Sequence, residues 1–378
     1  MPAIVVPVAV LTIVVGAASA MNLADGQLLT WALALYSVPG ILGVWLALRH
    51  RQPLVLTGNV FAIILFASDG GRLTFAELAG ASVVAGIAMA VLAALGLTMR
   101  VARLIPLPIV LGTLAGAVLP FVVRIFSSTN SSPIVAGGMF LAFLAARRGL
   151  GQTAGLPVAL VAGLALAAAS GQLLPLNPPA LPVLSLTIPT LSIAAVATVA
   201  PVLLAIMTVQ SNVPSLVFVR SQGYEPPERE VDLVSGVATV FASILGPNAV
   251  SMPLPLMGVV AGPDAGSPPD RYRTAVVAGI AVVMIGVLTT VAVALLAAVP
   301  PPLIQTFAGL ALLGVLASAV RLFATGPLML GPILAMVVAQ SSLTLLGLGP
   351  LFWALVIGIL ASAILEPDAL RKLTAPGE

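Results

Sequence analysis

The chain has 378 residues, of which 60% are hydrophobic and 7% are charged, and its formal net charge is +3. A soluble domain carries about a quarter charged residues, so the composition excludes an ordinary soluble protein and indicates an integral membrane protein. The apolar runs last about 20 residues, which is typical of membrane-spanning helices and not of the alternating strands of an outer-membrane barrel.

Cysteine is absent and His50 is the only histidine, so disulfides, thiolate metal sites and a histidine-rich metal centre are excluded. We predict no cofactor and no metal site. The basic excess comes almost wholly from arginine, since Lys372 is the only lysine. We interpret this excess as a signal of membrane topology and not as a nucleic-acid footprint.

Taken in chain order, the apolar runs predict an all-α protein with about fourteen membrane crossings. No basic segment precedes the first run, and further spans follow it, so we expect a helix there and not a cleaved signal peptide. Segments three and ten are broken and are described below. The continuous spans are one (Ala3–Ala20), two (Leu28–Leu48), four (Phe75–Thr98), five (Ile105–Val123), six (Pro133–Ala146), seven (Gly155–Leu174), eight, which follows the proline-rich link Pro175–Pro189 and holds Pro201–Pro214, nine, which ends near Leu245, eleven (Ala275–Val299), twelve (Leu303–Phe323), thirteen (Pro327–Leu346) and fourteen (Leu351–Leu365).

Segments three and ten are too broken for ordinary helices. In segment three, Pro53 and Gly58 bound a short stretch, and Asn59 is a good N-cap for the apolar residues that follow. In segment ten, the broken run Gly246–Pro255 precedes the apolar residues Leu256–Ala261. Each segment therefore predicts an extended piece followed by a half-helix.

The basic residues support this count of crossings. With the N-terminus in the cytoplasm, thirteen of the 15 basic residues fall on the cytoplasmic side, and only Arg72 and Arg124 fall outside. If either broken segment did not cross, every later segment would flip and the bias would be lost. We therefore expect a bacterial-type inner membrane protein with both termini in the cytoplasm.

An internal repeat relates the two halves of the chain at an offset of 193 residues. The segment from Pro108 to Gly116 resembles the segment from Pro301 to Gly309, and the same offset superposes the two broken segments. Seven crossings per half is an odd number, so the halves must have inverted topology. Inverted repeats with paired broken helices are typical of secondary transporters.

The predicted binding site lies where the two half-helices begin. Helix N-termini present unpaired N–H groups and positive dipole ends, which favour a small anion. We predict no deeply embedded acid or base. The acids Glu228, Glu230 and Asp232 are expected at the start of span nine, where water solvates them and the helix dipole favours negative charge. Recognition then falls to neutral side chains, and the candidates are Gln210, Ser211, Asn212, Asn59, Ser251 and Ser19.

Other interpretations of these residues stay open. Gln210 and Asn212 can join neighbouring helices, with Pro214 removing a helical hydrogen bond beside them. Asn59 and Asn248 can serve only as caps or turn residues. Met207, Met252 and Phe61 can be apolar packing.

Several short motifs follow one another over nearly the whole chain. They are Arg51-Gln52-Pro53, Leu107-Pro108, Leu114-Ala115-Gly116, Asn212-Val213-Pro214, Gly223-Tyr224-Glu225-Pro226-Pro227, Gly262-Pro263-Asp264-Ala265, Arg271-Tyr272, Ala308-Gly309-Leu310-Ala311-Leu312 and Phe352-Trp353. In this order they resemble the BenE-type benzoate/proton symporters, which are related in fold to nucleobase permeases and anion exchangers. The chain departs from the family pattern at Phe61-Ala62, at the order Gln210-Ser211-Asn212 and at Ser251.

The resemblance implies a core domain at residues 3–104 and 185–299, a gate domain at 105–175 and 300–366, and a cytoplasmic tail at 366–378. It implies an aromatic carboxylate such as benzoate as substrate, the proton as coupling ion and a homodimer as the assembly. The alternatives are a nucleobase-like or inorganic anion substrate, or a passive anion channel on the same fold. A membrane enzyme is disfavoured, because no embedded carboxylate pair or Ser/His constellation is predicted.

Overall fold

The structure is a computed structural model that describes residues 13–69, 71–151, 154–173, 185–262, 265–341, 343–346 and 348–374. The start of predicted span one, most of the link Pro175–Pro189, the motif residues Pro263 and Asp264, and the last residues of the tail lie outside this part of the chain.

The described residues are largely helical, as the composition predicts, and residues 13–20 are already helical. The helices are α1 (Asp25–His50), α2 (Val60–Ser68), α3 (Phe75–Leu95), α4 (Thr98–Leu104), α5 (Leu107–Ser131), α6 (Gly138–Gly149), α7 (Gly155–Ala169), α8 (Ile193–Ala205), α9 (Val213–Ser221), α10 (Glu228–Ser243), α11 (Leu254–Ala261), α12 (Arg271–Ala297), α13 (Pro301–Ala324), α14 (Leu330–Gln340), α15 (Pro350–Leu365) and α16 (Pro367–Thr374).

Among the described residues, two π-helical turns and a 3₁₀ turn join some of these helices, and two short strands precede the half-helices. The π-helical turns are Pro133–Gly137 and Ile206–Asn212, the 3₁₀ turn is Pro268–Asp270, and the strands are β1 (Thr57–Gly58) and β2 (Val250–Ser251).

Within the described residues, six helical stretches are long and apolar enough to cross a membrane. A seventh is added if α15 and α16, between which the chain bends by 116°, form one span. The apolar helices α7 and α14 are shorter than this length. The membrane class of the protein is thus confirmed, whereas the number of fourteen crossings stays a prediction.

The two broken segments meet in the middle of the protein. β1 and β2 form an antiparallel ribbon in which Thr57 pairs with Ser251 and Gly58 pairs with Val250. β1 leads directly into the nine-residue helix α2, and β2 leads into the eight-residue helix α11. The ribbon therefore joins the two halves of the chain at the points where the short helices begin.

The most extensive helix contacts are related by exchange of the two halves. The most extensive contacts are α1 with α12, α3 with α10, and α5 with α13. The predicted repeat relates α1 to α10 and α3 to α12, so the pair α1 with α12 corresponds to the pair α3 with α10. It also relates α5 to α13, so their pair corresponds to itself. The contacts of α6 with α7 and of α14 with α15 are related in the same way.

Glycines make the closest helix crossings possible. A Cβ at Gly236 on α10 would lie 2.6 Å from the carbonyl oxygen of Gly86 on α3, and a Cβ at Gly279 on α12 would lie 3.3 Å from the carbonyl oxygen of Gly40 on α1. Gly86 and Gly279 stand 193 residues apart, which is the offset of the repeat. Small residues that allow backbones to approach are typical of membrane helix interfaces.

The turn before β2 is held against α1. The indole Nε1 of Trp31 donates to the carbonyl of Pro247 at 2.6 Å, and the Trp31 ring meets Phe75 edge-on with centroids 5.7 Å apart. Gly246 has a φ of 139° and lies so close to both rings that a side chain would overlap them. Trp31 therefore positions the chain that enters the ribbon.

Candidate binding site at the ribbon of the two half-helices

The helix of span eight widens where the sequence places its polar residues. α8 continues as a π-helical turn at Ile206–Asn212, and the N–H of Val213 donates to the carbonyl of Thr208, five residues back. Pro214 lacks an N–H and stands in the first turn of α9. The proline thus shifts the hydrogen-bond register and does not break the helix, and such π-turns are frequent at functional sites.

Ser211 connects this π-turn to β2. Its hydroxyl lies 2.9 Å from the hydroxyl of Ser251 and donates to the carbonyl of Met252 at 2.7 Å. One turn later, the hydroxyl of Ser215 donates to the same carbonyl at 2.8 Å. Ser211 and Ser251 are 4% and 1% exposed, so their contact is sealed from solvent.

Asn212 is the most connected of the predicted site residues. Its Oδ1 accepts a hydrogen bond from the N–H of Met252 at 2.8 Å, and its Nδ2 donates to a carboxylate oxygen of Asp232 at 2.8 Å and to the hydroxyl of Ser235 at 3.2 Å. The residue is fully buried. All of these bonds hold protein groups together, so Asn212 acts as a scaffold in this structure.

Asn59 combines the capping role with a contact across the ribbon. Its Oδ1 accepts from the N–H of Phe61 at 2.9 Å, which caps α2. Its Nδ2 donates to the hydroxyl of Ser251 at 2.8 Å. Four predicted residues, Asn59, Ser211, Asn212 and Ser251, therefore meet in one buried network, which we call the ribbon cluster.

Two amides beside the ribbon cluster retain free hydrogen-bonding capacity. The Oε1 of Gln210 is buried and has no partner among the described residues, although the side chain as a whole is only half-buried. Asn248 is fully buried, and neither its oxygen nor its nitrogen has a partner in the described part of the chain. An unpaired buried polar atom is costly, so these amides are the groups best placed to gain from a ligand.

The starts of α2 and α11 are poorer anion sites than the sequence predicts. At α11, Pro253 caps the helix and Pro255 stands in its first turn, and neither residue has an N–H group. At α2, the N–H of Phe61 donates to the side chain of Asn59, and the next two N–H groups donate to its carbonyl. Both helix starts therefore have few N–H groups left for an anion.

The expectation of a solvated start of span nine is wrong for Asp232. Asp232 is 5% exposed and lies on the second turn of α10, where it accepts from Asn212 and contacts the hydroxyl of Thr98. The position of Asp232 near a predicted helix start suggests exposure to water, but sequence position does not show which elements pack against it. Asp232 lies twenty residues after Asn212, and only the packing of α10 against the π-turn shows that the two residues meet.

The remaining sequence candidates lie outside the ribbon cluster. Ser19 is exposed at the end of the helical residues 13–20 and takes no part in the cluster. Met207 and Met252 are fully buried in apolar clusters, whereas Phe61 is only half-buried. His50 lies 3.0 Å from Glu230, which also pairs with Arg49 at 2.8 Å, so His50 joins two helix ends.

The apolar helices and the way they pack define a multi-pass membrane protein. A solved structure described as the transmembrane domain of a cyanobacterium bicarbonate transporter BicA has a similar fold, with a TM-score of 0.55, 15% sequence identity, and coverage of 95% of this chain and 94% of that one. At this identity the likeness shows the fold alone.

The model of the BenE family, described as benzoate membrane transport protein, matches residues 1–364, and the chain belongs to this family of membrane transporters. It is 27% identical to the inner membrane protein YdcO of Escherichia coli K12 over 92% of this chain and 89% of that protein. It is 26% identical to the benzoate membrane transport protein of Acinetobacter baylyi over 93% and 90% of the two chains.

Proposed function

We propose that the protein is a secondary active transporter of a small organic anion, with an aromatic carboxylate such as benzoate as substrate and the proton as coupling ion. The observation that carries this proposal is the ribbon cluster, which joins the starts of two half-helices in a chain of the BenE family. The name of the Acinetobacter relative supports the choice of benzoate.

The chemistry of the ribbon region suits a carboxylate that is held without a full positive charge. The start of α2 supplies a positive dipole end. Gln210 supplies the Nε2 of its side-chain amide as a donor for the carboxylate. We assign the direct contact to Gln210, while Ser211, Asn212, Asn59 and Ser251 hold the half-helices in place.

An aromatic ring needs an apolar surface beside the carboxylate site. Phe61 and Val60, at the start of α2, are half-buried and therefore keep apolar area that a ring can cover. Covering this area stabilises a complex by about 25 cal/mol per Å². Phe61 stands at a position where the family pattern differs, so this residue is our candidate for tuning the substrate range.

We propose two domains that move relative to each other, a core at residues 3–104 and 185–299 and a gate at 105–175 and 300–366. The extensive pairs α1 with α12 and α3 with α10 fall within the core, and α5 with α13 and α14 with α15 fall within the gate. The ribbon cluster is closed to solvent, so access requires such a movement. We further propose cytoplasmic termini, in accord with the distribution of arginines, and a homodimer.

Uptake of labelled benzoate into proteoliposomes, with and without an inward proton gradient, tests the proposed function. The proposal predicts saturable uptake that the gradient drives and that unlabelled benzoate inside the vesicles stimulates by counterflow. A passive anion channel would give flux that neither saturates nor shows counterflow. Competition by a nucleobase or an inorganic anion, with no uptake of benzoate, would keep the fold and replace the substrate.

A further inference from the structure

Asp232 is a buried carboxyl group that contacts the ribbon cluster through Asn212. It is 5% exposed, and its hydrogen-bond partners are the neutral side chains of Asn212, at 2.8 Å, and Thr98. Among the described side chains, no arginine, lysine or histidine forms an ion pair with it. Burying a charge without an opposite charge is costly, so such a group gains from taking up a proton.

The charged groups on the neighbouring elements are occupied elsewhere or exposed. Glu228, one turn earlier on α10, is the acid whose field reaches Asp232, and it pairs with Arg220 at 2.6 Å. Glu230 is shared by two basic groups at the end of α1, and β2 carries no charge. Among the side chains that the structure describes, the other charged groups on the elements around Asp232 are few. Arg49 and His50 pair with Glu230, and Arg229 donates to the carbonyl of Ala94. Arg100 is exposed, and Glu77 lies in the first turn of α3.

We propose that Asp232 is the group that takes up and releases the coupling proton, and that Asn212 transmits its charge state to the half-helix α11. This inference rests on the proposed function and names the residue behind its proton coupling. Asn212 joins the two ends of the relay, because the amide that donates to Asp232 also accepts from the N–H of Met252 at 2.8 Å.

The change of protonation alters the strength of this relay. An ionised Asp232 accepts a charge-assisted hydrogen bond from the Nδ2 of Asn212, and a protonated Asp232 offers only a neutral acceptor, which is roughly half as strong. The proton forms an O–H bond on the carboxyl and returns to water when that bond breaks. Glu228 and Glu230 are partly exposed at the start of the same helix, which places water within a turn of Asp232.

The test compares D232N with E230Q, which neutralises another acid on the same helix that has its own ion pairs. The readout is gradient-driven benzoate uptake divided by counterflow without a gradient. In D232N the proton gradient no longer increases benzoate uptake, so this ratio falls to the ratio obtained when no gradient is applied. E230Q keeps the ratio of the original protein. D232E restores part of the response, because it keeps a titratable carboxyl. A D232N protein that still accumulates benzoate along the proton gradient overturns the inference.

A second measurement does not depend on the substrate. Infrared difference spectra of the purified original protein and D232N, recorded as the pH is lowered, report the C=O stretch of a protonated carboxyl. The inference predicts a band that is present in the original protein and absent in D232N. If the original protein moves no benzoate, the proposed substrate fails and this band alone decides the inference. A carboxylate that stays ionised throughout the pH range overturns it.

Discussion

The backbone N–H of Met252 donates a hydrogen bond of 2.8 Å to the side-chain carbonyl of Asn212. Asn212 ends the π-turn of span eight, and Met252 lies between β2 and α11. Because the same amide donates to Asp232, one side chain connects three separate elements.

The first prediction concerns the ribbon cluster. Asn212→Ala leaves the N–H of Met252 and the carboxyl of Asp232 without this partner, and one unsatisfied buried polar group costs about 1–3 kcal/mol. We expect a lower melting temperature of the purified protein together with a loss of transport. Ser235→Ala is the control, since it removes only a 3.2 Å bond. An Asn212→Ala protein as stable as the original would show that the cluster does not hold the half-helices.

The second prediction concerns the crossing of α3 and α10. A Cβ at Gly236 would lie 2.6 Å from the backbone nitrogen of Ala90, and forcing extra atoms into a packed interface costs about 1–3 kcal/mol. We therefore expect Gly236→Ala to lower the melting temperature. The matched control is Gly314→Ala on α13, where the added Cβ meets nothing within 4 Å. Equal melting temperatures for the two variants would contradict the crossing.

The third prediction concerns the carboxyl of Glu366, which follows α15 and caps α14. It accepts hydrogen bonds from the N–H groups of Met329, Leu330 and Gly331 at 2.7, 3.0 and 3.0 Å. Burial raises the pKa of this carboxyl, but these bonds and the hydroxyl of Ser362 lower it more, so the pKa lies below its ordinary value. The cap is therefore fully stabilising above the ordinary pKa of glutamate and is lost as the pH falls through the lowered pKa.

Glu366→Gln should reduce stability by about 1 kcal/mol near neutral pH, as the loss of a helix cap does. The difference in melting temperature from the original protein should shrink as the pH falls through the lowered pKa. Glu225→Gln, which changes an exposed carboxyl, serves as the control and should give no such trend. A Glu366→Gln deficit that is constant with pH would show that the charge of Glu366 does not contribute.

Much of the fold could be predicted because the signals are local. Long apolar runs lead to helices in any membrane context, and Asn59 is a good N-cap wherever a helix follows. The repeat also indicated that the two broken segments belong together. The antiparallel register of Thr57 with Ser251 could not be predicted, because it pairs short strands that are far apart in the sequence.

The candidate site was predicted less completely, for the same physical reason. Ser211, Asn212, Asn59 and Ser251 meet as a group, but they satisfy one another, which only tertiary distances reveal. The charges around Asp232 suggested a solvated helix start, whereas the contacts with Asn212 and Thr98 bury it. Ser19 is exposed and lies outside the cluster.

The central claim is that the carboxylate of the substrate binds beside the ribbon by accepting a hydrogen bond from the Nε2 of Gln210. Binding of benzoate to the purified original protein, Gln210→Ala and the control Gln340→Ala on α14, measured by titration calorimetry, tests this claim most directly. Gln210→Ala loses one hydrogen bond to a charged group, which is worth about 1.5 kcal/mol, so we expect its affinity for benzoate to fall about tenfold. The melting temperature of the Gln210→Ala protein without benzoate should equal that of the original protein. Equal affinities of Gln210→Ala and the original protein would contradict the account.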